Sequence, residues 1–225
     1  MGRRREFCVE KALDTVLCVF WRKGYEGASY ADLTEAIGVE RPALYAAFGN
    51  KEALFRQALA RYDERYLGYL PEAMALPTAR AVAAHILVHA ADLNTRYPEH
   101  TGCLIINGAL AGSDEAEPVR RALLDFRAAG QARLGERFAR AKAEGDLPET
   151  ADPDALAAFV MAVTHGMAVQ AKAGLGRDML NAIAAQALAS WPDGRSSAQA
   201  PPAPDHSSPS ARQVADGMSD DGCAG

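Results

Sequence analysis

The sequence lacks the features that mark a membrane or secreted protein. No run of about 18 apolar residues occurs, so no segment is predicted to span a bilayer. The basic start, MGRRREFCVEK, is not followed by the apolar segment that a secretory signal requires. Stretches that alternate apolar and polar side chains, as half-buried β-strands do, are also missing. We therefore expect a cytoplasmic protein with no membrane partner.

Cysteine is scarce, and its spacing fits no known framework. The four cysteines are Cys8, Cys18, Cys103 and Cys223, which lie too irregularly for a disulfide scaffold or a zinc site. Reduced thiols are the simplest interpretation of such a pattern in a cytosolic protein. We expect neither a metal ion nor a cofactor.

Basic residues are not in excess either. Lys and Arg total 24 against 29 Asp and Glu, which gives a net charge of −5. An acidic chain is not an obvious nucleic-acid binder, but phosphate binding needs only a local basic patch. The composition therefore leaves DNA binding open.

Helical periodicity runs through most of the sequence and predicts an all-α protein of about nine helices. Pro71 and Pro77 are expected to break the helical pattern. Residues 192–225 are rich in Pro, Ser, Gly and Asp and predict a disordered tail. Beyond Pro77, long helices are predicted at about 79–97, 116–144, 153–173 and 177–191.

Three short helices separated by tight turns are predicted within the first fifty residues. Ser29 and Asp32 have the spacing of a capping box that opens the second helix, and Gly38 suits the turn that ends it. The third helix, about residues 41–48, is too short to be stable alone. This pattern is typical of a helix-turn-helix unit that presents its last helix to the DNA major groove. The alternative is that these helices are only the first part of a helical core.

The stretch FWRKGYEGASYADLTEAIGVERPALYAAFGNKEALFRQAL resembles the N-terminal domain of TetR-family transcriptional regulators, and the similarity is continuous over residues 12–60. The resemblance implies a homodimeric repressor that binds a double-stranded DNA operator under the control of a small-molecule ligand. It also implies a DNA-binding domain at residues 1–49 and an effector-binding and dimerisation domain at residues 50–191.

By position, the resemblance implies which side chains contact DNA. Arg41 is the expected base contact, at a guanine edge, and Lys51 is expected to pair with a phosphate. Glu40 departs from the small polar residue that the family commonly has there, and its carboxylate is a poor helix cap. The implied DNA-binding residues are Ser29, Tyr30, Arg41, Pro42, Ala43, Tyr45 and Lys51.

The middle helices are expected to hold the effector. His85 and His89 lie four residues apart on an apolar face, and three interpretations stay open: core histidines, ligand-contacting residues or metal ligands. Gly102-Cys103-Leu104 resembles one branch of the family, some members of which respond to electrophiles or oxidants through a cysteine. The candidate effector-binding residues are Tyr66, His85, His89, Cys103, Asn107, Phe126, Phe159, Met167 and Gln170.

Two interpretations of Cys103 remain. If Thr101 caps a short helix, Cys103 lies in its first turn, where the helix dipole would favour a reactive thiolate. Alternatively, Cys103 is a small buried apolar residue.

The last two helices, about 153–173 and 177–191, are expected to form the homodimer interface, with Ala162, Gly166 and Ala168 permitting close approach. The alternative is that both are buried within one subunit. Two other functions compete with an effector-controlled repressor: a helical metal- or thiol-dependent enzyme, and a non-specific architectural DNA binder.

Overall fold

The computed structural model of the protein describes residues 8–108 and 113–192. All of the predicted tail except its first residue, Pro192, therefore lies outside the described residues, and so does Cys223. Within them the chain forms helices and no β-strand, which confirms the predicted all-α class. Short 3₁₀ turns at Pro98–His100 and Asp114–Ala116 connect some of the α-helices. The α-helices are α1 (Val9–Gly27), α2 (Tyr30–Ile37), α3 (Arg41–Phe48), α4 (Lys51–Tyr66), α5 (Tyr69–Met74), α6 (Ala79–Arg96), α7 (Leu104–Gly108), α8 (Glu117–Ala143), α9 (Pro153–Lys172) and α10 (Arg177–Ala189).

The helices begin where the sequence provides caps. The Ser29 hydroxyl accepts a hydrogen bond from the Asp32 amide, and the Asp32 carboxylate accepts one from the Ser29 amide, which completes the predicted capping box. Asn50 caps α4 through the amide of Ala53. Asp152 caps α9 in the same way, just before Pro153. Local chemistry therefore sets the start of three helices.

Helix α5 was not expected, because Pro71 was predicted to break the chain there. Pro71 is the third residue of this helix. Amides in the first turn have no intrahelical acceptor, so the missing N–H of Pro71 costs α5 no hydrogen bond.

The predicted position of Cys103 is also wrong. Helix α7 begins at Leu104, and the Cys103 carbonyl accepts the first helical hydrogen bond, from the Asn107 amide. Cys103 therefore precedes the helix instead of lying in its first turn, and Thr101 is not the cap. Gly102, just before it, has a left-handed backbone with φ of 81°.

Two groups of buried apolar side chains form the interior. The first joins α1–α4 to α6, α7 and α8 around Trp21, Phe20 and Tyr62. The second lies among α5, α6, α8, α9 and α10 and includes Phe138 and Trp191. The first group therefore packs the N-terminal helices directly against α6, α7 and α8 of the remaining helical body.

Helix α9 is long and apolar enough, by length and composition, to cross a membrane, and no other helix of the described ranges is. In the structure it packs against α6, α8 and α10 within the helical body. These contacts cover one side of α9, and its opposite side, with Phe159 and Val169, is exposed in the single chain.

Candidate nucleic-acid interface and effector cavity

Helices α2 and α3 are joined by a tight turn centred on Gly38. Its φ of 76° is left-handed, which glycine adopts without steric cost. The amides of Gly38 and Val39 both donate to the Thr34 carbonyl oxygen, at 2.8 and 3.1 Å. Leu33 and Leu44 are fully buried on either side of the turn. The two helices are therefore held at a fixed angle, as the helix-turn-helix pattern predicts.

Helix α3 buries one side and presents the other to solvent. Leu44 and Phe48 are its buried residues, four positions apart, and they anchor it to the first core. Tyr45 is 39% exposed although it is a large aromatic residue. The remaining exposed positions of this helix are Arg41, Pro42, Ala43, Ala46 and Ala47. A rigid, short helix with a small-residue outer face suits insertion into a groove.

The predicted DNA-binding side chains Tyr30, Arg41 and Tyr45 form one cluster. The Tyr45 hydroxyl donates to the Tyr30 hydroxyl at 2.7 Å, and their rings stack with centroids 5.3 Å apart. The guanidinium carbon of Arg41 lies 4.2 Å from the centroid of the Tyr30 ring, and Arg41 donates to the Tyr45 hydroxyl at 3.3 Å. The cluster places a cation at the exposed N-terminal end of α3.

The start of α4 completes this surface. The Lys51 amide donates to the Tyr30 hydroxyl at 3.0 Å, which ties α4 to α2. The Lys51 ammonium lies 4.7 Å from the centroid of the Tyr25 ring, and burial lowers its pKa. Lys51 is therefore next to the α2–α3 unit, where it was predicted.

The acidic residues Asp32 and Glu40, at the starts of α2 and α3, have different roles. The Lys23 ammonium, together with the two Ser29 hydrogen bonds, lowers the pKa of Asp32 to about 2, so its carboxylate is charged and links α1 to the start of α2. The Ser29 hydroxyl donates its proton to this carboxylate at 2.9 Å, so that proton is already used in a hydrogen bond within the protein. Glu40 makes no side-chain hydrogen bond to the first turn of α3, in agreement with its expected weakness as a cap.

A cavity of about 420 Å³ lies in the body, between α4, α5 and α6 on one side and α7, α8 and α9 on the other. This volume falls within the roughly 300–1,000 Å³ of small-molecule sites. Most of its lining is apolar, and its polar and charged lining residues are Asp63, Glu64, Tyr69, Asn94, Cys103, Arg127, Arg133, Thr164 and His165.

Of the predicted effector-binding residues, Cys103 and Phe126 line this cavity. Tyr66 instead packs against Trp21, with ring centroids 5.0 Å apart. Met167 is buried in the second core, because its side of α9 faces the other helices. Phe159 and Gln170 lie on the exposed side of α9 and do not reach the cavity.

Asn107, another candidate, is next to the cavity wall without lining it. Its Nδ2 atom is buried and has no hydrogen-bond partner among the described residues. The same atom limits the space at Gly102, where an added Cβ would come within 2.9 Å of it.

His85 and His89 form a stacked pair between α5 and α6, outside the cavity. Their ring centroids are 3.9 Å apart, and Tyr69 stacks on His89 at 5.5 Å. Burial lowers the pKa of His85, with the nearby His89 as the second cause, and Glu72 lies 3.8 Å away. Among the described residues no group of three or more His, Cys, Asp or Glu is placed to hold a metal ion. The His89 Nδ1 atom is 2.8 Å from the His85 carbonyl oxygen, whereas the buried His85 Nε2 atom has no hydrogen-bond partner among the described residues. The geometry favours the interpretation as packed core histidines.

Cys103 contacts Tyr62, whose hydroxyl is 3.4 Å from its Sγ atom. Burial raises the pKa of the Cys103 thiol, although hydrogen bonds from Tyr62 and from the first amides of α7 oppose the shift. The thiol form is therefore favoured over the thiolate, which argues against the activated cysteine.

Sequence reasoning missed most of the polar cavity residues, and Arg127 and His165 are the pair among them that contact each other. The Arg127 guanidinium lies 3.1 Å from the His165 Nδ1 atom. Burial, followed by the charge of Arg127, lowers the pKa of His165 to about 4. A signal was present: Arg127 falls within the helical stripe Leu123, Phe126, Gly130 and Leu134, where a charged residue interrupts an otherwise inward-facing row.

Comparison with known proteins agrees with this arrangement. Residues 13–58 match the family "Bacterial regulatory proteins, tetR family", and residues 75–188 match "Tetracyclin repressor-like, C-terminal domain". The chain is 33% identical over 195 residues to the HTH-type transcriptional repressor ComR of Escherichia coli, covering 85% of this chain and 92% of ComR. It is 27% identical to the repressor BdcR of the same organism, covering 83% of this chain and 90% of BdcR.

Among solved structures, a cysteine-substituted form of the TetR-family regulator CifR, complexed with a 26-base-pair double-stranded operator DNA, is similar. It is 41% identical with a TM-score of 0.79, covering 85% of this chain and all of that chain. Proteins of the matched family are DNA-binding transcription regulators and not enzymes. The chain therefore belongs to the TetR family of transcriptional regulators.

Proposed function

We propose that this protein is a cytoplasmic repressor that binds a palindromic operator as a homodimer and is controlled by a small-molecule effector. In this proposal residues 1–49 bind DNA and residues 50–191 bind the effector and dimerise. The observation that carries the proposal is the exposed face of α3, where Arg41 and Tyr45 are fixed above a buried anchor. CifR, the relative with 41% identity, was solved on operator DNA.

The cluster on α2 and α3 suggests a role for each side chain. Arg41 has the length and donor geometry to reach a guanine edge, and Tyr30 and Tyr45 hold it until DNA offers better acceptors. Pro42 and Ala43 are exposed and small, so they allow the helix to approach the groove. Ser29 and Lys51 lie at the starts of α2 and α4, where phosphates are favoured by helix amides.

Helix α9 supports dimerisation, because it leaves an apolar stripe uncovered in the single chain. Phe159 is 39% exposed and Val169 is 44% exposed. The stripe recurs at helical spacing and consists of Ala155, Phe159, Ala162, Gly166 and Val169. Ala168 was also expected at the interface, but it is buried within the chain. TetR-family regulators act as dimers, and pairing of α9 and α10 from two chains would cover this stripe.

The cavity supports effector control. It is lined by α4, which follows the DNA-binding helices directly, and by α9 of the proposed interface. A ligand that binds more tightly to one separation of the two α3 helices would shift the dimer on or off DNA. The raised pKa of Cys103 favours non-covalent binding over oxidation as the trigger.

A mobility-shift assay on the DNA upstream of the gene tests the proposal. Arg41→Ala is expected to weaken specific binding roughly 5- to 150-fold for each half-site, the effect of about 1–3 kcal/mol for each base contact that is lost. Arg121→Ala, which removes an exposed arginine from α8, is the control and should bind as the wild type does. Equal retention of random DNA by the wild type would instead indicate an architectural binder.

A further inference from the structure

The cavity contains a guanidinium without a carboxylate partner. Arg127 is half-buried on α8, and no acidic side chain of the described ranges forms an ion pair with it. Its Nε atom is buried and has no hydrogen-bond partner among those residues. A buried charge that lacks a partner is unfavourable, and most such groups in proteins are paired.

His165 orients Arg127 without neutralising it. A guanidinium has only donors, so the His165 Nδ1 atom accepts the hydrogen bond from Arg127 at 3.1 Å. The imidazole is then neutral, with its proton on Nε2, and the low pKa of His165 agrees with that state. The Arg127–His165 pair therefore keeps a net positive charge and leaves donors of Arg127 available.

The rest of the cavity is complementary to an apolar body. Leu67, Ile86, Leu93, Phe126 and Met161 are among its lining residues. The acidic lining residues Asp63 and Glu64 are exposed to solvent, as is Arg133. Solvent screens charges at such positions, so they act weakly on a ligand held at Arg127.

We infer that the cavity binds a small amphipathic carboxylate, with its apolar body among the aliphatic and aromatic lining and its carboxylate on Arg127. The planar guanidinium matches a carboxylate with two parallel hydrogen bonds, which a neutral amide or an amine cannot reproduce. This inference rests on the proposed effector site and specifies the chemical class of its ligand.

Isothermal titration calorimetry of the full chain without DNA tests the inference with three probes that share a phenyl ring and a four-carbon chain: phenylbutyrate, phenylbutyramide and phenylbutylamine. At neutral pH the wild type is expected to bind the carboxylate at least about 10-fold more tightly than the amide, and the amine most weakly. Arg127→Met should weaken carboxylate binding roughly 10- to 100-fold and change amide binding less than about threefold. Arg133→Met removes an exposed arginine of the same cavity and should keep the preference.

Arg127→Lys separates loss of charge from loss of fold, since it keeps a cation and should retain part of the preference. The inference is overturned if the wild type does not bind the carboxylate, if the amide or amine binds equally well, or if Arg127→Met keeps the preference. Operator binding is measured separately by mobility shift. If the protein does not bind the operator, the proposed DNA-binding function is contradicted. The calorimetric result concerns only ligand binding in the cavity and is judged separately.

Discussion

The indole Nε1–H of Trp21 donates a hydrogen bond to the carbonyl oxygen of Gly102 at 2.7 Å, across 81 positions of sequence. Trp21 lies in α1, which supports the α2–α3 unit, and Gly102 directly precedes Cys103 on the cavity wall. The indole is fully buried, and the Tyr62 ring packs edge-on against it with centroids 4.8 Å apart. This contact therefore joins the DNA-binding end to the cavity by one directional bond within a tightly packed cluster.

Removing that bond should weaken both stability and coupling. Trp21→Phe keeps an aromatic ring but leaves the Gly102 carbonyl without its donor, so the free energy of unfolding should fall by about 1–3 kcal/mol. Urea unfolding measures this change. In the mobility-shift assay, operator affinity without ligand should change little, whereas more ligand should be needed for release.

Trp191→Phe is the matched control for Trp21→Phe, because it also removes a buried indole but lies at the far end of the body, against Phe138. It should leave the ligand dependence of DNA binding unchanged. Equal ligand dependence in both variants would show that the Trp21–Gly102 bond has no part in coupling.

Gly102 should tolerate substitution poorly for two separable reasons. Its φ of 81° is left-handed, and an added Cβ would come within 2.9 Å of the Ala168 carbonyl oxygen on α9. Gly145 has the same φ of 81° but open space around it. Gly145→Ala should cost about 1–2 kcal/mol of unfolding free energy for backbone strain. Gly102→Ala should cost roughly 1–3 kcal/mol more, because packing must also shift. If both variants lose the same unfolding free energy in urea, the α9 backbone at Ala168 moves away from the added methyl group without a measurable cost.

Local signals predicted the N-terminal helices closely. The capping pair Ser29–Asp32, the left-handed Gly38 and the cap Asn50 each depend on residues within four positions of one another. Such features can be predicted from sequence because the residues that interact lie within one helical turn of each other. The resemblance supplied the predicted DNA-binding residues, and the structure brings three of them, Tyr30, Arg41 and Tyr45, together.

The cavity was harder to predict because its residues come from six helices. His85 and His89 share the apolar face of α6, but that face meets α5, and only packing between helices decides what it meets. Arg127 and His165 are 38 positions apart and come together through the contact of α8 with α9. Periodicity identifies an inward side of each helix and does not identify its partner.

Cys103 should react slowly with alkylating reagents. Burial raises the pKa of its thiol, so less thiolate is present at neutral pH than in an ordinary cysteine. Cys8 is exposed and provides an internal reference in the same chain. With N-ethylmaleimide, mass spectrometry of the peptides should show labelling of Cys103 at least about 10-fold slower than that of Cys8. In urea the two rates should converge. Equally fast labelling in the folded protein would restore the redox-sensing interpretation.

His165 should make the protein less stable in mild acid. Its pKa is about 4 in the folded chain, against an ordinary value of 6.5. Between these pH values the unfolded chain binds a proton that the folded chain does not, so stability is complete above about pH 6.5 and falls as the pH approaches 4. Solvent screening of a half-buried site reduces the effect to roughly 1–2 kcal/mol.

His165→Asn isolates this contribution, because asparagine offers Arg127 an acceptor but does not titrate. The pKa values of His85 and His100 are also lowered, chiefly by burial, so both proteins should lose some stability in this range. Urea unfolding across the range should show a steeper loss for the wild type than for His165→Asn. Parallel curves would mean that His165 titrates alike in both states, and hence that Arg127 and the surrounding apolar wall do not hold it neutral.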